Sequence, residues 1–559
     1  MTGSLLELAI VILVAAALGV AAKLFRQPVI LAYLATGMLI GYFGFLSIQD
    51  KELFSVFSDL GIMFLLFLVG LEINYSSLRL VGKTSVIVGL GQVVVTALLG
   101  YFIAVGLGFA TVPALYIAAA LTFSSTIIVV KLLSDKREMQ SLYGKISVGT
   151  LLVQDMLAIF ALIFLAGLEA GEGGMWWSLL GTLAKGVVLF ALMLFLGRTV
   201  FPKIFGKIGQ SQELLFLTSL AWLFLLAAAV SKIGFSIEIA GFLAGLALAN
   251  SSEHFEIAFK LRPLRDFFVL VFFVILGASA IFSNISGLTF PIIVFSIFVL
   301  VGNPVIILCI MGIMGYRKRT SFLTGVAVAQ VSEFSLVLVA LGLKLGHITE
   351  NVVAIVTAVA IITIALSSYL IMHSEGIFKM FSKVLSLFER KKTKETELSD
   401  TSVLKPIVLI GSGRTGESIL SGLPRNDVFV IDFNPEAIRK IKAKGYSVLY
   451  GDIADEEIFE TAHLKQARLV ISTSPDVDDG LMILSRLSLP DDVRPKIVVR
   501  ADTEGDAKEL YAHGADYVLL PHFTSGQYFG QTIALDPNME ILGTLKENDM
   551  ALMQSIDGV

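Results

Sequence analysis

The sequence predicts a polytopic α-helical membrane domain followed by a smaller soluble domain of alternating strands and helices. Three observations predict this. The 559 residues are 56% hydrophobic and only 16% charged, against roughly 25% charged in ordinary soluble domains. The mean hydropathy of +0.83 comes from residues 1–373, which are nearly continuous apolar runs, whereas 374–559 have a cytosolic composition. A glycine pattern, Gly411-Ser-Gly-Arg-Thr-Gly416, also follows a β-branched run in the second part. The net charge of −4 excludes a nucleic-acid binder built on a large basic surface. The single cysteine, Cys309, excludes a disulfide framework, and the six scattered histidines suggest no metal site.

Along the chain, Leu5–Ala22 follows Met-Thr-Gly-Ser with no basic n-region and no cleavage site, so it reads as a retained helix. A span needs about 20 mostly apolar residues. Cutting at polar breaks gives about thirteen segments by that length rule, centred near Val14, Met38, Leu65, Val95, Ile117, Phe160, Leu189, Leu220, Phe242, Phe272, Phe298, Val331 and Ile361. Alternate loops carry Lys23/Arg26, Arg79/Lys83, Lys131/Lys136/Arg137/Lys145, Arg198/Lys203/Lys207, Lys260/Arg262/Arg265 and Arg317/Lys318/Arg319. The loops between them offer Lys51, Lys232 and Lys344. By the positive-inside rule the N-terminus is outside and the soluble domain cytoplasmic. One register suggests an inverted repeat of six helices, a connector near 177–200, and six more. Val29–Gly37 lies on Ile237–Gly245, and Ser124-Ser125 on Ser332-Glu333.

Ionisable groups inside a bilayer cost roughly 2.5 kcal/mol or more, so each needs a reason. Asp155, in Leu151-Leu-Val-Gln-Asp-Met-Leu-Ala-Ile-Phe160, has apolar residues well beyond it on both sides. A carboxylate there can hold a cation or take a proton, and that competition is the minimal chemistry of cation/proton exchange. The blander reading is a helix end near the interface, with Asp155 solvated or paired with Lys145. Gln154 is a neutral neighbour able to offer a carbonyl oxygen to potassium or sodium near Asp155. Ser124, Ser125 and Thr126 in one helix, and Gln330, Ser332 and Glu333 in its counterpart, mark polar breaks expected of discontinuous helices around an ion site. Ordinary interhelical hydrogen bonding is the alternative for the hydroxyls, and a structural ion pair for Glu333. Glu72 and Glu238 sit near helix ends and read as interfacial. Asn303-Pro304 reads as structural, Pro304 freeing a carbonyl that Asn303 satisfies.

The soluble part follows a charged linker, 374–403, that includes Arg390-Lys-Lys392. The span 404–535 forms the expected Rossmann-like nucleotide-binding domain and 536–559 a tail. Strand Ile407–Ile410 precedes Gly411, Gly413 and Gly416, which serve a tight turn, close approach of a pyrophosphate, and helix-to-strand packing. Arg414 and Thr415 open the following helix. A second strand, Val428–Ile431, ends at Asp432, placed to accept from a ribose hydroxyl. Strands Ser447–Tyr450, Leu469–Ser472 and Ile497–Val499 lead to Asp452, Thr473 and Arg500 at the ligand edge of the sheet. A Rossmann fold that has lost its nucleotide is the alternative. With no hydride-transfer partner visible, the nucleotide is expected to signal, and the chain not to be an enzyme.

With these residues in hand, the chain resembles the bacterial Kef-type potassium/proton antiporters of the monovalent cation:proton antiporter-2 family. The matching motifs are GLE (Gly70–Glu72), SST (Ser124–Thr126), QD (Gln154–Asp155), GFLAG (Gly241–Gly245), FFVILG (Phe272–Gly277) and AQVSEF (Ala329–Phe334). The C-terminal part looks like an RCK-type regulator of potassium transport. The resemblance implies a sodium/proton-antiporter-like fold, a homodimer in the bacterial inner membrane, elevator-like alternating access, and Asp155 as the carboxylate exchanging cation and proton. It implies electroneutral, potassium-linked exchange controlled by NAD(H) or AMP, with ATP a weaker candidate, and an ancillary soluble regulator. Two departures stand out. Asn303 occupies a helix where related antiporters often have a basic residue, and Arg500 is followed by Asp502 where glutathione-gated members carry paired arginines. A sodium/proton antiporter and a channel-like potassium efflux system are the competing readings; no TVGYG-like filter occurs.

Overall fold

The computed structural model describes residues 2–25, 27–43, 51–72, 82–136, 138–139, 141–166, 188–208, 211–232, 237–249, 251, 253–279, 285–390, 404–488, 494–536, 539, 541–547 and 550. The chain divides into two compact units. One comprises Met1–Leu132, Ile146–Ile310 and Phe322–Met380, the other Leu133–Lys145, Met311–Ser321 and Phe381–Val559.

The first unit is helical. In chain order come α1 (Thr2–Leu24), α2 (Val29–Phe43), α3 (Lys51–Glu72), α4 (Lys83–Gly106), α5 (Thr111–Ala120), α6 (Thr126–Asp135) and α7 (Leu142–Ala166). They are followed by α8 (Phe201–Ile208), α9 (Gln212–Lys232), α10 (Ile237–Leu248), α11 (His254–Ser279), α12 (Ile285–Ile297), α13 (Asn303–Ile313), α14 (Lys318–Ala327), α15 (Glu333–Lys344) and α16 (Glu350–Met372). Among the described residues, six helices are long and apolar enough to cross a membrane: Lys83–Gly106, Leu142–Leu162, Val188–Phe205, Gln212–Lys232, Gly287–Ile313 and Glu350–Met372. Shorter apolar helices accompany them. The expected connector's residues 177–187, Arg26, Arg79 and Arg137 lie outside the described residues, as do the side chains of Glu72 and Glu238.

Two helix pairs pack alike. Helix α2 lies on α11, where a Cβ at Gly37 would collide with Val274 O; α10 lies on α3, where a Cβ at Gly245 would collide with Phe67 O. Bare glycine lets the backbones approach. Gly37 and Gly245 are 208 residues apart, the same shift that carries Ser124 to Ser332, so equivalent contacts recur in the two halves at the register anticipated from the sequence. The breaks recur as well: α5 stops at Ala120 and α6 starts at Thr126, while α14 stops at Ala327 and α15 starts at Glu333.

The second unit holds a six-stranded parallel sheet of β1 (Ile407–Ile410), β2 (Val428–Asp432), β3 (Ser447–Tyr450), β4 (Leu469–Ser472), β5 (Lys496–Arg500) and β6 (Tyr517–Leu519) in the order β3-β2-β1-β4-β5-β6. Every pairing is parallel. Such strands are covered on both faces and therefore read as unbroken apolar runs. Val408, Phe429, Val470 and Ile497 pack on one side of the sheet; Leu409, Val430 and Val448 pack on the other. Strand β6 was not anticipated, since three residues, Tyr517–Leu519, are too few to carry a pattern. The order reverses direction between β1 and β4, and that switch point is where open α/β sheets take their ligands.

Candidate functional site

In the helical unit the two breaks cross. Ser124 Oγ donates to Val328 O (2.7 Å), Ser332 N to Phe123 O (2.9 Å), and Gln330 Nε2 to Ser125 O (3.4 Å). Each break thus satisfies backbone groups that the other exposes, as non-helical backbone at membrane depth requires. Ser332 also caps α15, accepting from Phe334 N. Ser367 Oγ donates to Gln330 Oε1 (2.7 Å), so that amide is held at both ends.

Asp155 lies within α7, a helix of 25 residues, and is only 9% exposed. Thr126 Oγ1, on the first residue of α6, donates to its Oδ2 at 2.8 Å. Glu333, the residue after Ser332 in the other break, is 4% exposed, and Ser332 Oγ reaches its Oε2 at 3.5 Å. Each of the two breaks thus offers a hydroxyl to a buried carboxyl group, Thr126 to Asp155 and Ser332 to Glu333. The solvated-end reading of Asp155 does not match this burial.

Gln154 departs from the simplest expectation. Its Oε1 accepts from Ser124 N (3.1 Å), and its Nε2 donates to Gln92 Oε1 (2.7 Å). Asn303 departs as well. A five-residue π turn, Phe298–Gly302, precedes it and absorbs the irregularity at Pro304. The Asn303 amide instead donates to Leu121 O (3.4 Å) and accepts from Thr96 Oγ1 (2.9 Å). Gln92 and Thr96 were not singled out from the sequence, because a polar residue in a long apolar helix usually makes an unremarkable interhelical bond. Their spacing of four, which sets both on one face of α4, was the available signal.

In the second unit a cleft of about 360 Å³ opens at the sheet's switch point, and Gly411, Gly413, Arg414, Thr415, Asp432, Asp452, Thr473 and Arg500 all line it. Gly411 has φ +90°, and its carbonyl accepts from Thr473 Oγ1 at 2.9 Å. A Cβ at Gly413 would meet nothing, leaving the backbone open to a ligand, whereas one at Gly416 would collide with Gly411 O. Gly411 thus makes the turn and Gly416 lets the following helix pack against it. Asp432 Oδ2 accepts from Ser412 N (2.6 Å) and Ser412 Oγ (2.7 Å), and its Oδ1 accepts from Asn434 N (2.7 Å). A carboxylate has about four lone-pair sites, so one remains on Oδ1 for a ribose hydroxyl. The residues present therefore suit a nucleotide.

Asn434 doubles as N-cap of the helix Pro435–Ala443. Arg500 is engaged by Asp502 at 2.7 Å, with a longer reach to Thr415 (3.5 Å). Lys145, at the start of α7 in the stretch Leu133–Lys145 that belongs to this second unit, lies 4.6 Å over the Phe433 ring at the edge of the cleft. The cleft also has an acidic flank that the sequence reading passed over. Burial, reinforced by the charges of Asp452 and Asp476, pushes Asp479 up to about 7. Burial likewise pushes Asp476 up to about 6.

Residues 9–372 match the sodium/hydrogen exchanger transmembrane family, and residues 407–521 match the TrkA-N domain. The chain is 27% identical over 521 residues to YbaL of Escherichia coli (strain K12), described as a cation/proton antiporter, covering 90% of this chain and 92% of that one. It is 25% identical over 520 residues to KefB of Alkalimonas amylolytica, described as a K(+) efflux antiporter, covering 92% and 78%. Among solved structures, the sodium proton antiporter MjNhaP1 of Methanocaldococcus jannaschii superposes with a TM-score of 0.52 at 18% identity, covering 69% of this chain and 98% of that chain. That likeness concerns the fold.

Proposed function

The chain belongs to the sodium/hydrogen exchanger family and carries a C-terminal TrkA-N domain, and from that premise we propose that it exchanges potassium for protons at Asp155 under control of a nucleotide in the cleft at β1. The observation that carries this reading is a buried carboxyl group, Asp155, held by Thr126 where two helix breaks cross. The ionised carboxylate takes a cation, with the Thr126 hydroxyl and break carbonyls as further oxygen donors; the protonated form takes none. One carboxyl group carrying either one proton or one monovalent cation moves no net charge, which supports electroneutral exchange. Glu333, at the start of α15 in the other break, is a second buried carboxyl group.

Potassium is favoured by the likeness to KefB, described as a K(+) efflux antiporter, and by the Gln154-Asp155 pair. The nucleotide, NAD(H) or AMP, sits on the Gly411–Gly416 turn with Asp432 on its ribose and acts as a signal, changing the transport rate without being consumed. The loop charges support a cytoplasmic nucleotide domain, and the family resemblance supports a dimer in a bacterial inner membrane.

Asp155→Asn in proteoliposomes tests the reading. Exchange driven by potassium or sodium is expected to vanish, while the protein still elutes as the wild type does. Full exchange by that variant overturns it. Adding NADH or AMP to the wild type is expected to change the rate.

A further inference from the structure

We infer that Gln92 is a positioning residue for cation binding, acting through a relay of neutral side chains that clamps the helix break beside Asp155; this rests on the exchange reading above. The relay is fully buried: Gln92, Thr96, Gln154 and Asn303 each have 0% exposure. It begins at Asn303 and runs through Thr96 Oγ1 (2.9 Å), Gln92 Nε2 (3.1 Å from Thr96 Oγ1) and Gln92 Oε1 to Gln154 Nε2 (2.7 Å).

Its direction is set by backbone groups that admit one role each. Ser124 N–H can only donate, so the oxygen of Gln154 must face it, and Gln154 Nε2 must face Gln92. Thr122 O can only accept, so Gln92 turns its nitrogen there (3.2 Å) and its oxygen to Gln154. Leu121 O can only accept, so Asn303 offers its nitrogen there and its oxygen to Thr96. All three amide orientations follow from chemistry.

The relay closes three backbone groups of the break, Leu121 O, Thr122 O and Ser124 N, with side chains from three different helices: α13, α4 and α7. An unpaired buried group of this kind costs roughly 1–3 kcal/mol, so the break holds its shape only while the relay is complete. Gln92 is the central member. It alone touches both the break, at Thr122, and Gln154, the residue preceding Asp155. Removing it frees the Gln154 amide to rotate and leaves Thr122 O without its donor. The Thr126–Asp155 pair that receives the cation is then no longer held in register. Gln154 accordingly acts here as a clamp on Ser124 more than as a cation ligand.

The test is cation-dependent proton exchange in proteoliposomes containing the full chain, with KM and turnover measured separately for potassium. Gln92→Ala is expected to raise KM by about tenfold, the usual effect of losing an outer partner of an ion ligand, with turnover at saturating potassium within about twofold of wild type. Thr96→Val, which removes the hydroxyl and keeps the shape, is expected to shift KM in the same direction, and Thr96→Ser to restore it. Should Gln92→Ala not assemble, the Thr96 pair decides. An unchanged KM overturns the inference, and so does a fall in turnover at unchanged KM, the signature of a merely structural role. Asp155→Asn is run alongside: if it still exchanges, the exchange reading itself has failed, whereas a dead Asp155→Asn with a normal KM in Gln92→Ala sinks only the relay.

Discussion

Substituting Gly411→Ala attacks the nucleotide turn at its most constrained point. At φ +90° a residue with a Cβ is strained by about 1–3 kcal/mol. The new Cβ would also lie 2.6 Å from Thr473 Oγ1, so that hydroxyl must swing away. It then loses the bond it donates to Gly411 O at 2.9 Å, worth about 1 kcal/mol net. Together the costs come to about 2–4 kcal/mol, a large share of the 5–15 kcal/mol that typically holds a domain together. The assay is amide hydrogen exchange on the full-length protein. It follows Gly411 N and Thr473 N, which donate to Ile431 O and Ile410 O at 2.8 Å. At roughly 1.4 kcal/mol per tenfold, their protection is expected to drop by a factor of about 30 to several hundred. Gly413→Ala is the internal control: its φ is −68° and its Cβ meets nothing. Protection is expected to survive there while calorimetric NADH or AMP binding weakens, because the methyl group intrudes on the ligand's approach. Wild-type protection in Gly411→Ala would refute the claim that this turn requires glycine.

The acidic flank of the cleft predicts a pH effect. Asp479 titrates near 7 in the folded protein against about 3.9 when unfolded, so its protonated form favours the fold. That contribution is fully present below about pH 4 and fades as pH rises through 7. The thermal midpoint of the full chain is expected to fall between about pH 4 and 7, and Asp479→Asn to flatten that fall; an unchanged slope contradicts the assignment. Asp432→Ala removes the ribose acceptor and the two bonds that anchor the glycine turn through Ser412. Nucleotide affinity is expected to drop roughly 10- to 100-fold by calorimetry, the worth of a hydrogen bond to a charged group, and wild-type affinity would exclude Asp432 from the site.

Much of this was legible in the sequence because it depends on local chemistry. Apolar runs set the helices of the first unit, five strand runs and the Gly411–Gly416 spacing set the second, and a carboxylate in a membrane helix drew attention to Asp155 without any coordinates. Even the contact of the two breaks was foreshadowed, since Ser124 and Ser332 are related by one register. What the tertiary structure decided were contacts between residues far apart in the chain. Gln92 meets Gln154 across 62 positions and Thr96 meets Asn303 across 207, and no periodicity encodes either meeting. It also decided what each polar group spends its bonds on. Gln154, Asn303 and Arg500 read as free donors or acceptors in one dimension, yet they are engaged by Ser124, Thr96 and Asp502. A sequence shows which groups are present, but in a buried site free energy depends on which partners satisfy them, and only the packed chain chooses those partners.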